Sequence, residues 1–343
     1  MQQMTLKPII DQIRAGTNLQ RAQMQTVIES MLAGQVDDET TRDLLLALRE
    51  KGESVEELAG AALAMRSHMT PIHSRRSGLL DTCGTGGDGA KTFNISTAAA
   101  MVAAAAGVPV AKHGNRKITS ATGSADVLSQ LGIRVEASRQ LVEKCLDELG
   151  ICFCFAPLLH PAMKHVANVR RSLGVPTLFN YLGPLCNPAN ADFQVLGVGN
   201  AELQQKIAHV LSQLPVRHAI VVRGLDGMDE VSLAAETVVL EVANASVKEL
   251  RWSPESFGLK PIEPKELLVE SPEESAAVIR NVLSGAKGAC RDMVLANAAA
   301  GLWVAGVEKD LKSAVAHCAA AIDSGQAREL VTRLSAMSNL ASD

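Results

Sequence analysis

The first seventy residues carry helical patterns of apolar and polar positions, with glycines between successive stretches. Gly16, Gly34 and Gly52 stand where the C-terminal caps of helices belong. Ser54 and Glu57 form the Ser-x-x-Glu pattern of a capping box ahead of the last stretch. The pattern predicts a helical unit with four short helices, at Leu6 to Ala15, Leu19 to Ala33, Asp38 to Lys51 and Val55 to Met69.

Farther along the chain, short apolar runs of strand length alternate with helical stretches. The predicted buried strands are Leu79 to Cys83, Val108 to Ala111, Cys152 to Ala156, Val195 to Val198 and Ala219 to Val222. The predicted helices are Ile95 to Ala106, Ala125 to Leu131, Ser138 to Leu149, Glu202 to Leu214, and more from Glu273 onward. Such alternation is typical of a largely parallel sheet covered by helices. The segment from His160 to Pro188 suits neither a strand nor a long helix, and we predict that it crosses between domains.

Length and composition limit the class of protein. A chain of 343 residues exceeds twice the ~150 residues typical of one domain, so two structural units are expected. Hydrophobic residues make up 47% and charged residues 20%, which excludes a chain that is disordered throughout. The formal net charge of -4 attracts neither nucleic acid nor an anionic membrane, so neither partner is expected and any anion site has to be local.

The cysteines and the apolar segments indicate a cytoplasmic location. The seven cysteines are scattered without a Cys-x-x-Cys pair, which argues against a disulfide framework or a zinc ribbon. The N-terminus lacks the apolar run and cleavage site of a secretory signal, so the cytoplasm is the expected compartment. Thr92 to Ala111 contains no charged residue, but its polar first turn, Gly107 and Pro109 favour a buried helix and strand over a membrane span.

A glycine-rich segment from Asp81 to Thr97 lies between a predicted strand and a predicted helix, with four glycines within six residues. Glycine lets backbone N–H groups approach an anion, and a helix N-terminus adds partial positive charge. A dinucleotide fingerprint also needs an acid about twenty residues on, yet none occurs between Asp88 and Asp126. A P-loop needs lysine directly after its last glycine, whereas Ala90 precedes Lys91. The segment therefore predicts a phosphate site of another kind, with a plain tight turn as the alternative.

Charged residues near other strand ends support this interpretation. The window without acids also carries five basic or imidazole side chains, at Lys91, Lys112, His113, Arg116 and Lys117. Any one of them is more often a solvated surface charge, but the group lies where ligands of open α/β sheets bind and indicates a site for several phosphates. Asp229 and Glu230 follow a later strand, and adjacent loop carboxylates suit magnesium, which often bridges carboxylates to substrate phosphates.

These residues belong to six motifs that resemble those of the anthranilate phosphoribosyltransferase family, in the family's order. The motifs are GTGGD at Gly84 to Asp88, NIST at Asn94 to Thr97, KHGNR at Lys112 to Arg116, GSAD at Gly123 to Asp126, HPAMKHVA at His160 to Ala167 and DE at Asp229 to Glu230. The resemblance covers almost the whole chain and implies an α/β two-domain fold shared with nucleoside phosphorylases. It implies a small helical domain at 1–75, crossing helices from about 163–188, and a larger domain at 76–343 with a largely parallel central sheet that binds phosphoribosyl pyrophosphate. A homodimer formed through the helical domain is also implied.

The resemblance implies transfer of the phosphoribosyl group of 5-phosphoribosyl 1-pyrophosphate to the amine of anthranilate, in tryptophan biosynthesis, with Mg²⁺ as cofactor. The residues that match phosphoribosyl pyrophosphate contacts are Gly84, Gly87, Asp88, Thr92, Asn94, Ile95, Ser96, Thr97, Lys112, His113, Gly114, Asn115, Arg116, Lys117, Ile118, Thr119, Ser120 and Ser124. Gly84, Asn115 and Arg170 match anthranilate contacts. Ser96, Asp229 and Glu230 match magnesium ligands.

The chemistry of such a transfer needs no strong base, because the amine of anthranilate has a free lone pair. Backbone amides, Lys112 and the metal would stabilise the departing pyrophosphate. One alternative is a pyrimidine nucleoside phosphorylase, whose Lys-His-Ser-Thr-Gly-Gly motif is absent here. The other is a non-catalytic nucleic-acid-binding relative of the same fold, whose expected basic groove conflicts with the net charge of -4.

Overall fold

The computed structural model describes residues 6–86, 89–116 and 122–341 of the chain. Its N-terminal part is helical, and the helices are α1 Lys7–Arg14, α2 Arg21–Leu32, α3 Asp38–Lys51 and α4 Val55–Ser67. Gly16, Gly34 and Gly52 follow the first three helices with φ of 80°, 70° and 83°, as expected for C-terminal caps. The Ser54–Glu57 capping box at the start of α4 is also confirmed.

A seven-stranded sheet forms the centre of the larger part of the described chain. Its strands are β1 Leu80–Gly84, β2 Val110–Gly114, β3 Ile151–Phe155, β4 Phe193–Gly197, β5 His218–Gly224, β6 Thr237–Ala243 and β7 Ser246–Trp252. The spatial order is β3-β2-β1-β4-β5-β6-β7, and the pairs from β3 to β5 are parallel. The order reverses between β1 and β4, where open α/β sheets bind their ligands at the carboxyl ends of the strands.

The apolar runs predicted the first five strands but not β6 and β7, which add to the sheet in antiparallel orientation. Asn244 and Ala245 connect them with φ of 51° and 57°, so both loop residues have left-handed backbone. Hairpin loops of this kind usually contain glycine, and none is present here. Most positions of β7 are exposed or half-buried, so that strand also lacks an apolar run.

Eleven further helices lie between and after the strands of the described chain. They are α5 Ile95–Ala105, α6 Ser124–Gln130, α7 Arg139–Leu149, α8 Ala156–Leu159, α9 Lys164–Leu173, α10 Phe179–Leu182, α11 Ala201–Leu211, α12 Pro272–Leu283, α13 Ala289–Val304, α14 Leu311–Asp323 and α15 Gln326–Ser338. Within the described ranges, none of these or the earlier helices combines the length and apolar character that crossing a membrane requires.

The sheet has a separate hydrophobic core on each face, since successive side chains of a strand point to opposite faces. Val195 and Ile220 belong to the core shared with α5 and α13. Leu196 and Val221 belong to the other core, which includes α2, α4 and α11. The N-terminal helices therefore share a core with one face of the sheet, and the domain boundary between residues 75 and 76 stays a prediction.

The segment predicted as a crossing returns to the N-terminal helices. Arg42 of α3 donates to the Ser172 hydroxyl of α9 at 3.1 Å, and the Arg49 guanidinium donates to the Pro176 carbonyl at 3.0 Å. Arg66 of α4 donates through Nε to the Leu185 carbonyl at 2.8 Å. These bonds hold α9 and the turns after it against the helical part.

Candidate active site

A cleft of about 240 Å³ lies at the carboxyl ends of β1 and β2. The predicted site residues that line it are Gly84, Thr92, Asn94, Ile95, Ser96, Lys112, His113, Gly114, Asn115, Arg116, Ser124, Asp229 and Glu230. Chain segments that are far apart in sequence therefore meet at one place. The predicted residues that lie outside the described ranges are Gly87, Asp88, Lys117, Ile118, Thr119 and Ser120.

Two predicted residues lie away from the cleft lining. Thr97 is buried in α5, with a side chain 1% exposed, and its hydroxyl has no hydrogen-bond partner among the described residues. Arg170 is half-buried on α9, where its guanidinium lies 5.4 Å from the centre of the Phe179 ring. Burial lowers the pKa of Arg170. Its neighbour Arg171 is exposed, so the two arginines have different environments.

The acidic pair contacts the glycine segment and the start of α5. Asp229 Oδ2 accepts a hydrogen bond from the Gly86 backbone N–H at 3.1 Å. Glu230 Oε1 accepts one from the Ser96 backbone N–H at 3.1 Å, in the first turn of α5. A carboxylate is stabilised there by the partial positive charge of a helix N-terminus. The loop after β5 thus brings both carboxylates to the segment predicted to bind phosphate.

Asn297 holds this acidic loop in place and was not among the predicted site residues. Its Oδ1 accepts from the Val231 N–H at 2.9 Å, and its Nδ2 donates to the Val231 carbonyl at 2.9 Å. The side chain is 2% exposed and lies in α13 among alanines. A polar amide within an apolar helix is a sequence signal, because buried amides need partners. The buried amide therefore predicts a hydrogen-bond partner but does not identify it.

Lys112 forms part of the cleft floor with only 4% of its surface exposed. Its Nζ donates to the Thr82 carbonyl and approaches Ser96 Oγ at 3.3 Å. Burial lowers the pKa of Lys112, and the negative charge of Asp81 opposes this effect. The ammonium group therefore connects the end of β1 to the start of α5, and it adds positive potential from below.

A pair of buried histidines connects β2 to the crossing segment. His113 Nδ1 lies 3.1 Å from the Gly183 carbonyl, which can only accept, so Nδ1 carries the hydrogen. His113 Nε2 then accepts from His160 Nε2 at 3.2 Å. Burial lowers the pKa of His113 to about 4 and that of His160 to about 3, so both rings are neutral at neutral pH. His160 was not among the predicted site residues.

Arg116 lies at the rim of the cleft and is held by residues outside it. Its guanidinium is 2.8 Å from Glu136 and 3.5 Å from Asp126. It also lies 5.6 Å from the centre of the Phe155 ring. About half of the side chain is exposed, so these exposed ion pairs are weak and the group can exchange partners.

Comparisons with known proteins identify the class first. The chain matches the helical bundle domain of the glycosyl transferase family over residues 7–69 and the a/b domain of that family over residues 76–328. A fold with this helical part and a cleft at the strand ends is that of a glycosyltransferase of this family.

Individual relatives identify the family within this class of glycosyltransferases. The chain is 51% identical over 325 residues to an anthranilate phosphoribosyltransferase of Rhodopirellula baltica, covering 95% of both proteins. The crystal structure of an anthranilate phosphoribosyltransferase from Thermus thermophilus superimposes on this chain with a TM-score of 0.90 at 42% identity. The match covers 96% of this chain and 99% of the Thermus chain. A Saccharomyces cerevisiae anthranilate phosphoribosyltransferase in complex with PRPP and Mg matches with a TM-score of 0.85 at 28% identity, over 93% of both chains. The chain belongs to the anthranilate phosphoribosyltransferase family.

We expect Gly197→Ala to displace the acidic loop. A Cβ atom at Gly197 would lie 1.5 Å from the Asp229 carbonyl oxygen, a backbone atom that no rotamer change can move away. Overpacking of this kind costs about 1–3 kcal/mol. Hydrogen exchange of peptides that contain Gly86 and Ser96 should therefore become faster by about tenfold, as their N–H groups lose the two carboxylates.

Gly183→Ala is the matched control, since a Cβ atom there meets nothing within 4 Å apart from its chain neighbours and φ is -49°. Its exchange pattern should equal that of the wild type. An unchanged pattern in Gly197→Ala would mean that the loop tolerates the side chain, contrary to this prediction.

Proposed function

We propose that this cleft is the active site in which the chain carries out the reaction of its family. The phosphoribosyl group of 5-phosphoribosyl 1-pyrophosphate is transferred to the amine of anthranilate, which gives N-(5-phosphoribosyl)anthranilate and pyrophosphate, a step of tryptophan biosynthesis. The observation that carries the proposal is the meeting of the glycine segment, the start of α5 and the Asp229–Glu230 pair in one cleft.

Phosphoribosyl pyrophosphate would bind to the backbone N–H groups of the glycine segment and of the first turn of α5. Lys91, Arg116 and the largely buried Lys112 line the cleft and add positive charge. The remaining residues of the predicted set, including those outside the described ranges, stay proposed contacts. This arrangement suits a ligand with several phosphate groups.

Magnesium would be held by Ser96, Asp229 and Glu230. Two adjacent carboxylates and a hydroxyl are oxygen ligands of the type that magnesium prefers, and it commonly shares such ligands with substrate phosphates. The donor set therefore fits the ion that the yeast relative binds together with PRPP. When bound, magnesium would offset the negative charge of the pyrophosphate group.

The chain's own groups would act by position and charge. As the bond between the anomeric carbon and pyrophosphate breaks, negative charge grows on the leaving oxygen, where backbone N–H groups stabilise it. The amine nitrogen forms the new bond with its lone pair and then releases its proton, so the cleft has to orient it. Gly84, Asn115 and Arg170 are the proposed anthranilate contacts. The neutral His113 and His160 add no charge at that end of the cleft at neutral pH.

We also propose a homodimer formed through the helical domain and a cytoplasmic location. Both rest on the family resemblance. Size-exclusion chromatography with light scattering measures the mass in solution, and a mass near 36 kDa would contradict the dimer.

The function is tested by mixing the protein with anthranilate, phosphoribosyl pyrophosphate and magnesium. We expect loss of anthranilate fluorescence together with release of pyrophosphate. The control substrates for a pyrimidine nucleoside phosphorylase are thymidine with inorganic phosphate and uracil with its sugar donor. Turnover of those alone, or binding of single-stranded DNA without transfer, would contradict the proposal.

We predict that Asp229→Asn combined with Glu230→Gln raises the magnesium concentration needed for half-maximal turnover by about tenfold or more, since each charged contact contributes ~1.5–3 kcal/mol. Neutral amides are poorer magnesium ligands than carboxylates. Titration of magnesium at saturating substrates measures the effect.

The matched control is Asp38→Asn with Glu39→Gln, which also removes two adjacent negative charges, from exposed positions at the start of α3. Its magnesium dependence should equal that of the wild type. If the Asp229–Glu230 variant keeps wild-type turnover at low magnesium, the acidic pair does not bind the metal.

We predict that Arg170→Ala raises the Michaelis constant for anthranilate by about tenfold or more, because a charged hydrogen bond is lost. The constant for phosphoribosyl pyrophosphate should change little. Arg170→Lys should also be impaired, since lysine cannot form two parallel bonds to a carboxylate or stack on Phe179 in the same way.

Arg171→Ala is the control for general effects on α9. It should leave both Michaelis constants near their wild-type values, because Arg171 is exposed. A larger anthranilate defect in Arg171→Ala, or equal losses for both substrates in Arg170→Ala, would refute the assignment.

A further inference from the structure

The side-chain amide of Asn94, a residue of the cleft lining, has its oxygen held by two hydroxyl groups. Asn94 is half-buried, precedes α5 and lines the cleft. Its Oδ1 accepts from the Ser275 hydroxyl at 2.9 Å and from the Thr122 hydroxyl at 2.5 Å. No partner is recorded for its Nδ2 in the described parts of the chain. Among the described residues, the two N–H groups of the amide therefore have no acceptor.

Ser275 holds both the backbone and the side chain of Asn94. Its Oγ accepts from the Asn94 backbone N–H at 3.0 Å, and its own hydrogen is donated to Asn94 Oδ1. Ser275 is fully buried in the first turn of α12 and does not line the cleft. If the amide were reversed, Ser275 Oγ would have to accept from both the backbone and the side chain of Asn94, and its own hydrogen would lose the Asn94 oxygen as acceptor, which is unfavourable at a buried position. The hydroxyl thus selects one orientation of the amide.

We propose that Ser275 is a positioning residue that turns the Asn94 amide so that its N–H donors bind an oxygen of phosphoribosyl pyrophosphate. This inference rests on the proposed function, since it takes that molecule as the ligand of the cleft. Ser275 itself does not touch the ligand. The alternative is a purely structural bond that fastens α12 to the start of α5, with no effect on the ligand beyond stability.

Ser275→Ala separates these two possibilities. Calorimetry with phosphoribosyl pyrophosphate and magnesium, in the absence of anthranilate, should show binding weakened by about three- to tenfold, in line with the loss of one neutral hydrogen bond. In turnover, the Michaelis constant for phosphoribosyl pyrophosphate should rise by a similar factor, while that for anthranilate stays unchanged. Ser275→Thr keeps the hydroxyl and should restore most of the affinity.

Ser271→Ala controls for the stability of α12. Ser271 caps the same helix, and its hydroxyl accepts from the Glu274 N–H at 3.2 Å without contacting Asn94. This variant should unfold earlier in denaturant than the wild type while binding phosphoribosyl pyrophosphate normally. If it weakens binding as much as Ser275→Ala does, the effect is structural and the inference is overturned.

A double-mutant cycle tests whether Ser275 acts through Asn94. Asn94→Ala should weaken binding, and adding Ser275→Ala to it should weaken binding no further. Full additivity of the two losses, or unchanged binding in Ser275→Ala alone, would overturn the inference. Wild-type protein that binds the ligand but transfers nothing to anthranilate would contradict the proposed function and leave the inference standing. Wild-type protein that does not bind it would overturn both.

Discussion

The close contact between the acidic loop and the ends of two parallel strands is the constraint on which the cleft depends. Gly84 of β1 and Gly197 of β4 are register partners at the point where the strand order reverses. A Cβ atom at Gly84 would lie 2.7 Å from Asp229 Oδ2, and one at Gly197 would overlap the Asp229 carbonyl. At position 197 only glycine leaves room for the Asp229 backbone. With that room, Asp229 and Glu230 reach N–H groups on the opposite side of the cleft.

This contact places groups of opposite charge near one another in a chain that is acidic overall. One carboxylate lies beside a backbone N–H of the glycine segment and the other beside one at the start of α5, where the Lys112 ammonium approaches the Ser96 hydroxyl. Carboxylates next to a phosphate site repel the ligand unless a cation stands between them. The arrangement therefore suits an anion that arrives with a divalent metal.

The C-terminal helices and the crossing segment support the cleft from behind and from the side. Asn297 of α13 forms two hydrogen bonds with the backbone of Val231, which follows the acidic pair. Ser275 of α12 forms hydrogen bonds with both the backbone and the side chain of Asn94. On the other side, the bond between His113 and His160 fastens the end of β2 to the crossing segment. Cleft residues on short loops are thereby held by long, buried elements, which suits a reaction that depends on orientation.

Local rules allowed much of this protein to be predicted from its sequence. Helix periodicity, glycine caps and the Ser54–Glu57 box placed α1 to α4, and apolar runs placed β1 to β5, because these signals act over a few residues. The hairpin of β6 and β7 was missed because Ala245 occupies a left-handed position without glycine. The order of the motifs led to the correct family and to the residues that line the cleft. The hydrogen-bond partners that hold the cleft residues in place were determined only by the tertiary structure. Ser275 is 181 residues from Asn94, and Asn297 is 66 residues from Val231. Hydrogen bonds between such distant residues leave no local pattern, since their partners are chosen by how the helices pack on the sheet.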